Sequence, residues 1–115
     1  MTQHAGLTLE RWRCFDPHRQ VLMIANEMHR CRTNAEPDAL RRGYERVLRL
    51  ADLTIQAAER ATFRRELLRW RDGIAELYVE ARPLPERHRD LLGCLLLMST
   101  QAARQRPFVL RRPAG

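Results

Sequence analysis

The segment DALRRGYERVLRLADLTIQAA, residues 38–58, decides the fold class because its apolar residues recur at helical spacing. Asp38 is a suitable N-cap, and the segment predicts a long amphipathic helix from Asp38 to about Ala61. The residues of its apolar face follow steps of 4, 3, 1, 3, 4 and 3: Leu40, Tyr44, Val47, Leu48, Ala51, Ile55 and Ala58.

The segment before it predicts a second helix, from Pro17 to Arg32. Asp16 can cap its N-terminus, and Pro17 suits the first helical position. Its apolar face is expected to hold Val21, Leu22, Ile24, Ala25, Met28 and Cys31.

Three further helices complete the predicted bundle. A short one lies in LTLERWRCF, residues 7–15, and Thr62 is expected to cap another that runs to about residue 81. That helix alternates steps of four and three between apolar residues, and AERAT, residues 58–62, predicts a tight connection before it. Pro83 and Pro85 break the chain, and the last helix is expected from about Glu86 to Arg104.

Composition agrees with one all-α domain. The chain has 115 residues with 44% hydrophobic and 6% aromatic residues, enough to bury a single core. We therefore predict a four- to five-helix antiparallel bundle over residues 1–105, followed by a flexible basic tail over residues 106–115.

The net charge of +7 raises the question of nucleic-acid binding. All 21 basic residues are Arg, a bias that base composition of the genome also produces. No aromatic stacking platform or known binding module accompanies them, so nucleic-acid association stays the alternative function. The candidate basic surface comprises Arg42, Arg46, Arg49, Arg104, Arg106, Arg111 and Arg112.

Polar residues interrupt the apolar face of the second helix, but their spacing does not indicate a reactive site. Glu27 and His29 are two residues apart, about 200° around a helix, which is unsuitable for chelating one metal ion. Cys31 continues the apolar face and Cys94 lies in a Leu run, where a free thiol packs as a small hydrophobe. We predict no catalytic residue, metal or cofactor.

Three polar residues near the predicted core are expected to have partners on neighbouring helices, and they form the candidate polar boundary site. The expectation for Glu27 is an arginine on another helix. The three residues are Asn26, Glu27 and Asp52.

The last helix is apolar around nearly its whole circumference in LLGCLLLMST, residues 91–100. A helix of this kind requires burial on more than two sides, which suggests a homodimer if the bundle leaves one side uncovered. The candidate self-association residues are Leu92, Leu96 and Leu97.

The cysteines predict a reducing compartment, because Cys14, Cys31 and Cys94 are scattered and form no C-x-x-C pair. No signal peptide is predicted, and the longest apolar run is far shorter than the roughly 20 residues of a membrane span. We expect a cytoplasmic protein without membrane contact.

Two segments have the Arg-to-His spacing that four-helix HEPN ribonuclease toxins use: RCFDPH, residues 13–18, and RPLPERH, residues 82–88. Both contain Pro and lack the polar residue expected after the Arg. We therefore include a HEPN-like toxin–antitoxin component only as part of the alternative function, beside a nucleic-acid-associated factor.

Three segments resemble a family of small helical bacterial proteins with no assigned activity: ANEMHRCR, YERVLRLADLTI and ELLRWRDGIAELYV. The resemblance covers about residues 7–80 and includes a Glu-Arg-x-Leu-x-Leu-x-Asp-Leu-Thr pattern. It implies bacterial origin and a helical fold and transfers no functional residue. From the residues themselves, we predict a non-catalytic bundle that binds a macromolecular partner, its identity unknown, and that self-associates.

Overall fold

The computed structural model describes residues 7–32, 36–80, 82–99 and 110, with Arg32 described by its backbone alone. Within these ranges the chain forms helices and no strand, as the sequence predicts. The helices are α1 (Leu9–Trp12), α2 (Pro17–Arg32), α3 (Pro37–Ala57), α4 (Ala61–Val79) and α5 (Pro85–Leu96). The prediction of an all-α bundle is confirmed.

Helices α2 to α5 form an antiparallel bundle in which α5 closes against α2, and α1 packs on α3. Contacts between α3 and α4 show the direction, since Asp52 contacts Arg71 and Glu45, earlier in α3, contacts Tyr78, later in α4. None of the helices in the described part of the chain is both long and apolar enough to cross a membrane.

The core lies between these four helices and includes the expected apolar faces of α2 and α4. On α3 the buried face is displaced from the predicted one: Leu50 and Thr54 are fully buried, whereas Leu48 and Ile55 are only partly buried. The reason is that α3 packs against α2 on one side and α4 on the other, so its buried face is centred between them.

Helix boundaries follow the caps. The bounds of α2 match the prediction, and Asp16 Oδ1 accepts a hydrogen bond from Arg19 N at 2.9 Å. The predicted cap of α3 is wrong, because Glu36 takes the role from Asp38. The Glu36 carboxylate accepts from Asp38 N and Ala39 N at 3.0 and 2.8 Å, and these bonds lower its pKa.

The ends of the later helices also differ from the prediction. Helix α3 ends at Ala57, and α4 begins at Ala61 without a side-chain cap, so Thr62 is not its cap. Helix α5 ends at Leu96 instead of continuing to Arg104. The predicted tight connection between α3 and α4 is present.

The predicted tail lies outside the described residues except at Leu110. That side chain is 8% exposed within the core, and its carbonyl accepts a hydrogen bond from Arg89 at 3.3 Å. Leu110 thus packs against the bundle, and the flexibility of residues 106–115 stays a prediction.

Buried hydrogen bonds hold the turn between α1 and α2 in place. Trp12 Nε1 donates to Thr54 Oγ1 at 3.0 Å, which attaches α1 to α3. The Gln20 side-chain amide donates to the carbonyls of Trp12 and Phe15, both at 3.0 Å. Because all these groups are polar and mostly buried, their pairing fixes the direction in which the chain enters α2.

His88 joins three helices through both ring nitrogens. Its Nε2 lies 2.9 Å from the Met28 carbonyl oxygen, and its Nδ1 lies 2.7 Å from the Tyr44 hydroxyl. A carbonyl only accepts, so Nε2 carries the proton, and in the neutral ring Nδ1 accepts from Tyr44. This arrangement connects α2, α3 and α5 inside the core.

Candidate partner-binding groove

A groove of about 600 Å3 lies at one end of the bundle. Three segments distant in sequence form it: the α1–α2 turn, the α3–α4 connection with the start of α4, and the residues that follow α5. The volume is within the range of about 300–1,000 Å3 that is typical of ligand-binding clefts.

The apolar part of the groove is formed by two phenylalanines and the end of α5. Leu97 is 62% exposed, and Phe15, Phe63 and Met98 beside it are half-buried. Leu97 is exposed because α5 ends at Leu96 and Leu97 forms the C-cap turn, beyond the part of the helix that packs in the core. Exposed apolar side chains in a concave surface are typical of binding sites.

The polar part of the groove carries both signs of charge. Arg13 and Arg60 line it together with Asp16, Glu59 and Glu66, and all five side chains are exposed. Acidic residues therefore outnumber arginines in the groove by three to two, which distinguishes it from the basic chain as a whole.

His18 and Ser99 form a hydrogen bond at the edge of the groove, between His18 Nδ1 and Ser99 Oγ. A serine next to a histidine is one element of nucleophilic catalysis, but that chemistry also requires an accessible hydroxyl. Ser99 is only 6% exposed, so the pair is best explained as an attachment of the chain after α5 to the start of α2.

The three residues of the candidate polar boundary site do not come together. Glu27 is 2% exposed and accepts a hydrogen bond from Arg46 Nε at 2.5 Å, the helix-to-helix partner that was expected. Asp52 pairs with Arg71 of α4 and raises the pKa of that guanidinium. Asn26 is exposed, so its placement near the core is wrong: it lies on the outer side of α2, away from Ile24 and Met28.

The predicted basic surface is only partly a surface. Arg46 forms an ion pair with Glu27. Arg42 and Arg49 are exposed and have no carboxylate within 4 Å among the described residues. The remaining four arginines of that prediction lie outside the described residues: Arg104, Arg106, Arg111 and Arg112.

The predicted self-association residues separate in the structure. Leu92 and Leu96 are fully buried in the core, so they do not form a surface for a second subunit. The reason is that α5 packs against both α2 and α4, which cover more of its circumference than the sequence indicates. Leu97 is exposed, but it lies in the groove.

The thiols also occupy different environments. Cys31 is 1% exposed and burial raises its pKa to about 11, which keeps the thiol neutral and unreactive. Cys94 is exposed, so its expected role as a buried hydrophobe is wrong. Among residues 7–32, 36–80 and 82–99, no three potential metal ligands lie together.

The histidines of the two Arg-to-His segments both form hydrogen bonds within the fold. His88 is 2% exposed and both of its ring nitrogens are hydrogen-bonded in the core, whereas Arg82 is on the surface. In the other segment, His18 is bonded to Ser99.

Comparison with known proteins provides no further assignment, since no family model, curated protein or solved structure matches this chain. The groove was not predicted from the sequence either. Its apolar residues come from three separate segments, and the only local signal was Leu97 at the end of a Leu run.

Proposed function

We propose that this chain is a non-catalytic bundle that binds a partner protein through the groove. The observation that supports this proposal is the exposure of Leu97 beside three half-buried apolar side chains in a concave surface. Burying a leucine side chain in a complex contributes about 1.5–3 kcal/mol, so Leu97 is expected to be a major contact.

The chemistry of the groove specifies the kind of partner segment. A large apolar side chain fits between Phe15, Phe63 and Met98, and residues of both charges on either side of it match a rim that carries both arginines and carboxylates. A helix or extended segment of a protein has these properties. A polyanion does not, because it would face Glu59 and Glu66.

Site-specific photo-crosslinking tests the proposal. A photoreactive amino acid replaces Leu97, and the matched control places it at Gln56, which is exposed on α3. We expect a discrete protein adduct from position 97 that is absent from position 56. Equal adducts from both positions, or no adduct from position 97 in cells that express the protein naturally, would contradict the proposal.

A second measurement uses the partner recovered by crosslinking. Leu97→Glu is expected to weaken its binding by about ten- to a hundredfold, because the apolar contact is lost and each 1.4 kcal/mol is a factor of ten. Gln56→Glu introduces the same side chain outside the groove and is expected to leave the affinity unchanged.

Nucleic-acid association is the second candidate, supported by the two exposed arginines of α3 that have no carboxylate within 4 Å among the described residues. Arg42 and Arg49 are seven residues apart, two turns along the same side of the helix. If they contact phosphates, the slope of log affinity against log salt falls by up to about two in the double variant Arg42→Gln/Arg49→Gln. An unchanged slope excludes this surface; Arg46 is kept because it holds Glu27.

A further inference from the structure

The outer face of α4 carries two of the most exposed large apolar side chains of the described chain. Leu68 is 45% exposed and Val79 is 73% exposed. They are eleven residues apart, three turns of helix, and Asp72 and Ala75 lie between them at steps of four and three. The opposite face of α4 is the one that packs in the core.

The packed side of α4 confirms that this face is directed away from the bundle. The core face consists of Leu67, Trp70, Ile74 and Leu77, all buried. The flanks contact the neighbouring helices, with Arg71 on Asp52 of α3 and Trp70 Nε1 donating to the Leu91 carbonyl of α5 at 2.7 Å. The face with Leu68 and Val79 therefore remains on the surface.

Charge is segregated along α4. Residues 64–71 contain four arginines and one glutamate, a net charge of +3, whereas residues 72–80 contain three acidic residues and no basic one, a net charge of −3. Beside the outer apolar residues lie Arg69 in the basic half and Glu76 in the acidic half, both exposed, and Glu76 also forms an ion pair with Arg87 of α5. A helix with this pattern is complementary to a copy of itself in the antiparallel direction.

We propose that the outer face of α4 pairs antiparallel with the same face of a second copy of this chain. A two-fold axis near residues 73 and 74 places Leu68 of one copy against Val79 of the other, twice. In the same register, Arg69 of one copy lies two residues, about 3 Å along the axis, from the position opposite Glu76 of the other, within reach of its long side chain, again twice. This one register brings apolar residues together and also brings residues of opposite charge close to each other.

The proposed dimer has low affinity, and its symmetry limits assembly to two copies. One helix pair lies at or below the low end of specific interfaces, about 1,200 Å2, so the dimer forms at high protein concentration. Since both copies use the same face, assembly stops at two. The surface is separate from the groove, so partner binding and self-association fail independently: Leu97→Glu leaves the dimer intact, and variants of Arg69 leave groove binding intact.

Charge reversal and charge exchange in the full chain test the pairing by sedimentation over a range of concentrations. In Arg69→Glu two attractions become two repulsions, and the dissociation constant of the dimer is expected to rise about tenfold. Glu76→Arg reverses the same two contacts and is expected to raise the dissociation constant similarly; it also removes the exposed ion pair between Glu76 and Arg87, which contributes little to folding. The double variant Arg69→Glu/Glu76→Arg restores the pairs and is expected to return within about threefold of the native value.

Two controls separate this surface from general effects. Arg42→Glu makes the same charge change on the exposed side of α3 and is expected to leave the dimer unchanged, whereas Leu68→Glu removes the apolar contact and abolishes it. Circular dichroism verifies that each variant is folded. A native chain that remains monomeric at about 1 mM, assembly beyond two copies, or a double variant no better than the single ones would overturn the proposal.

Discussion

Replacing Gly43 by alanine gives a direct test of how closely α2 and α3 approach. A Cβ atom at Gly43 overlaps Cys31 Sγ, well inside van der Waals contact, and lies 3.2 Å from Cys31 Cβ. Overpacking of a buried site costs about 1–3 kcal/mol, while alanine in place of glycine in a helix contributes about 0.5–1 kcal/mol in the opposite direction. The free energy of unfolding is therefore expected to fall in Gly43→Ala, by up to about 2.5 kcal/mol.

The sign of the effect is expected to reverse when the sulfur is removed. In Cys31→Ala only the contact between the two Cβ atoms remains, and a shift of a few tenths of an ångström accommodates it. Gly43→Ala in that background then stabilises by about 0.5–1 kcal/mol through helix propensity. Urea denaturation of the four proteins measures the coupling, and additivity within about 0.3 kcal/mol would refute the assigned contact.

The remaining predictions concern the buried polar and titratable groups. In the native protein, a thiol reagent is expected to modify Cys14 and Cys94 rapidly and Cys31 only on unfolding, and rapid modification of all three would contradict the burial of Cys31. Because the pKa of Cys31 is raised in the folded state, the neutral thiol contributes up to about 3 kcal/mol to the free energy of unfolding below pH 9, and this contribution is lost between about pH 9 and 11. Urea denaturation across this pH range is expected to show a smaller loss of stability in Cys31→Ala. Tyr44→Phe removes the hydroxyl that donates to His88 Nδ1 and is expected to lower the free energy of unfolding by about 1–3 kcal/mol in urea denaturation. Tyr78→Phe removes an exposed hydroxyl and is expected to lower it by less than about 0.5 kcal/mol.

Local sequence patterns predicted the elements whose determinants are themselves local. The bounds of α2 were correct because Asp16 and Pro17 are adjacent cap signals at its start. The predicted cap of α3 was two residues too late, since two acidic residues flank Pro37 and only the structure shows that Glu36 makes the capping bonds. The end of α5 was wrong because its apolar run continues past Leu96, the point where the helix stops.

Features that depend on tertiary packing were beyond the sequence pattern. The α5 leucines predicted as a subunit interface are buried because two helices cover them, which periodicity alone does not reveal. The charge segregation of α4 is visible in the sequence, yet its significance depends on which face is exposed. The sequence predicted that Glu27 pairs with an arginine of another helix, because a carboxylate on an apolar helix face requires a cationic partner; the structure identifies that arginine as Arg46.

The hydrogen bonds of Gln20 have a consequence for the thermodynamics of partner binding. By holding the carbonyls of Trp12 and Phe15, this side chain makes one wall of the groove rigid before any partner arrives, so little conformational entropy is lost there on association. The segment after α5 forms another wall of the groove and contains Met98, whose unbranched side chain adapts its shape to a neighbour. A groove with one preorganised wall and one adaptable wall can accept several related apolar segments with similar affinity, so its specificity depends on the charges around its rim.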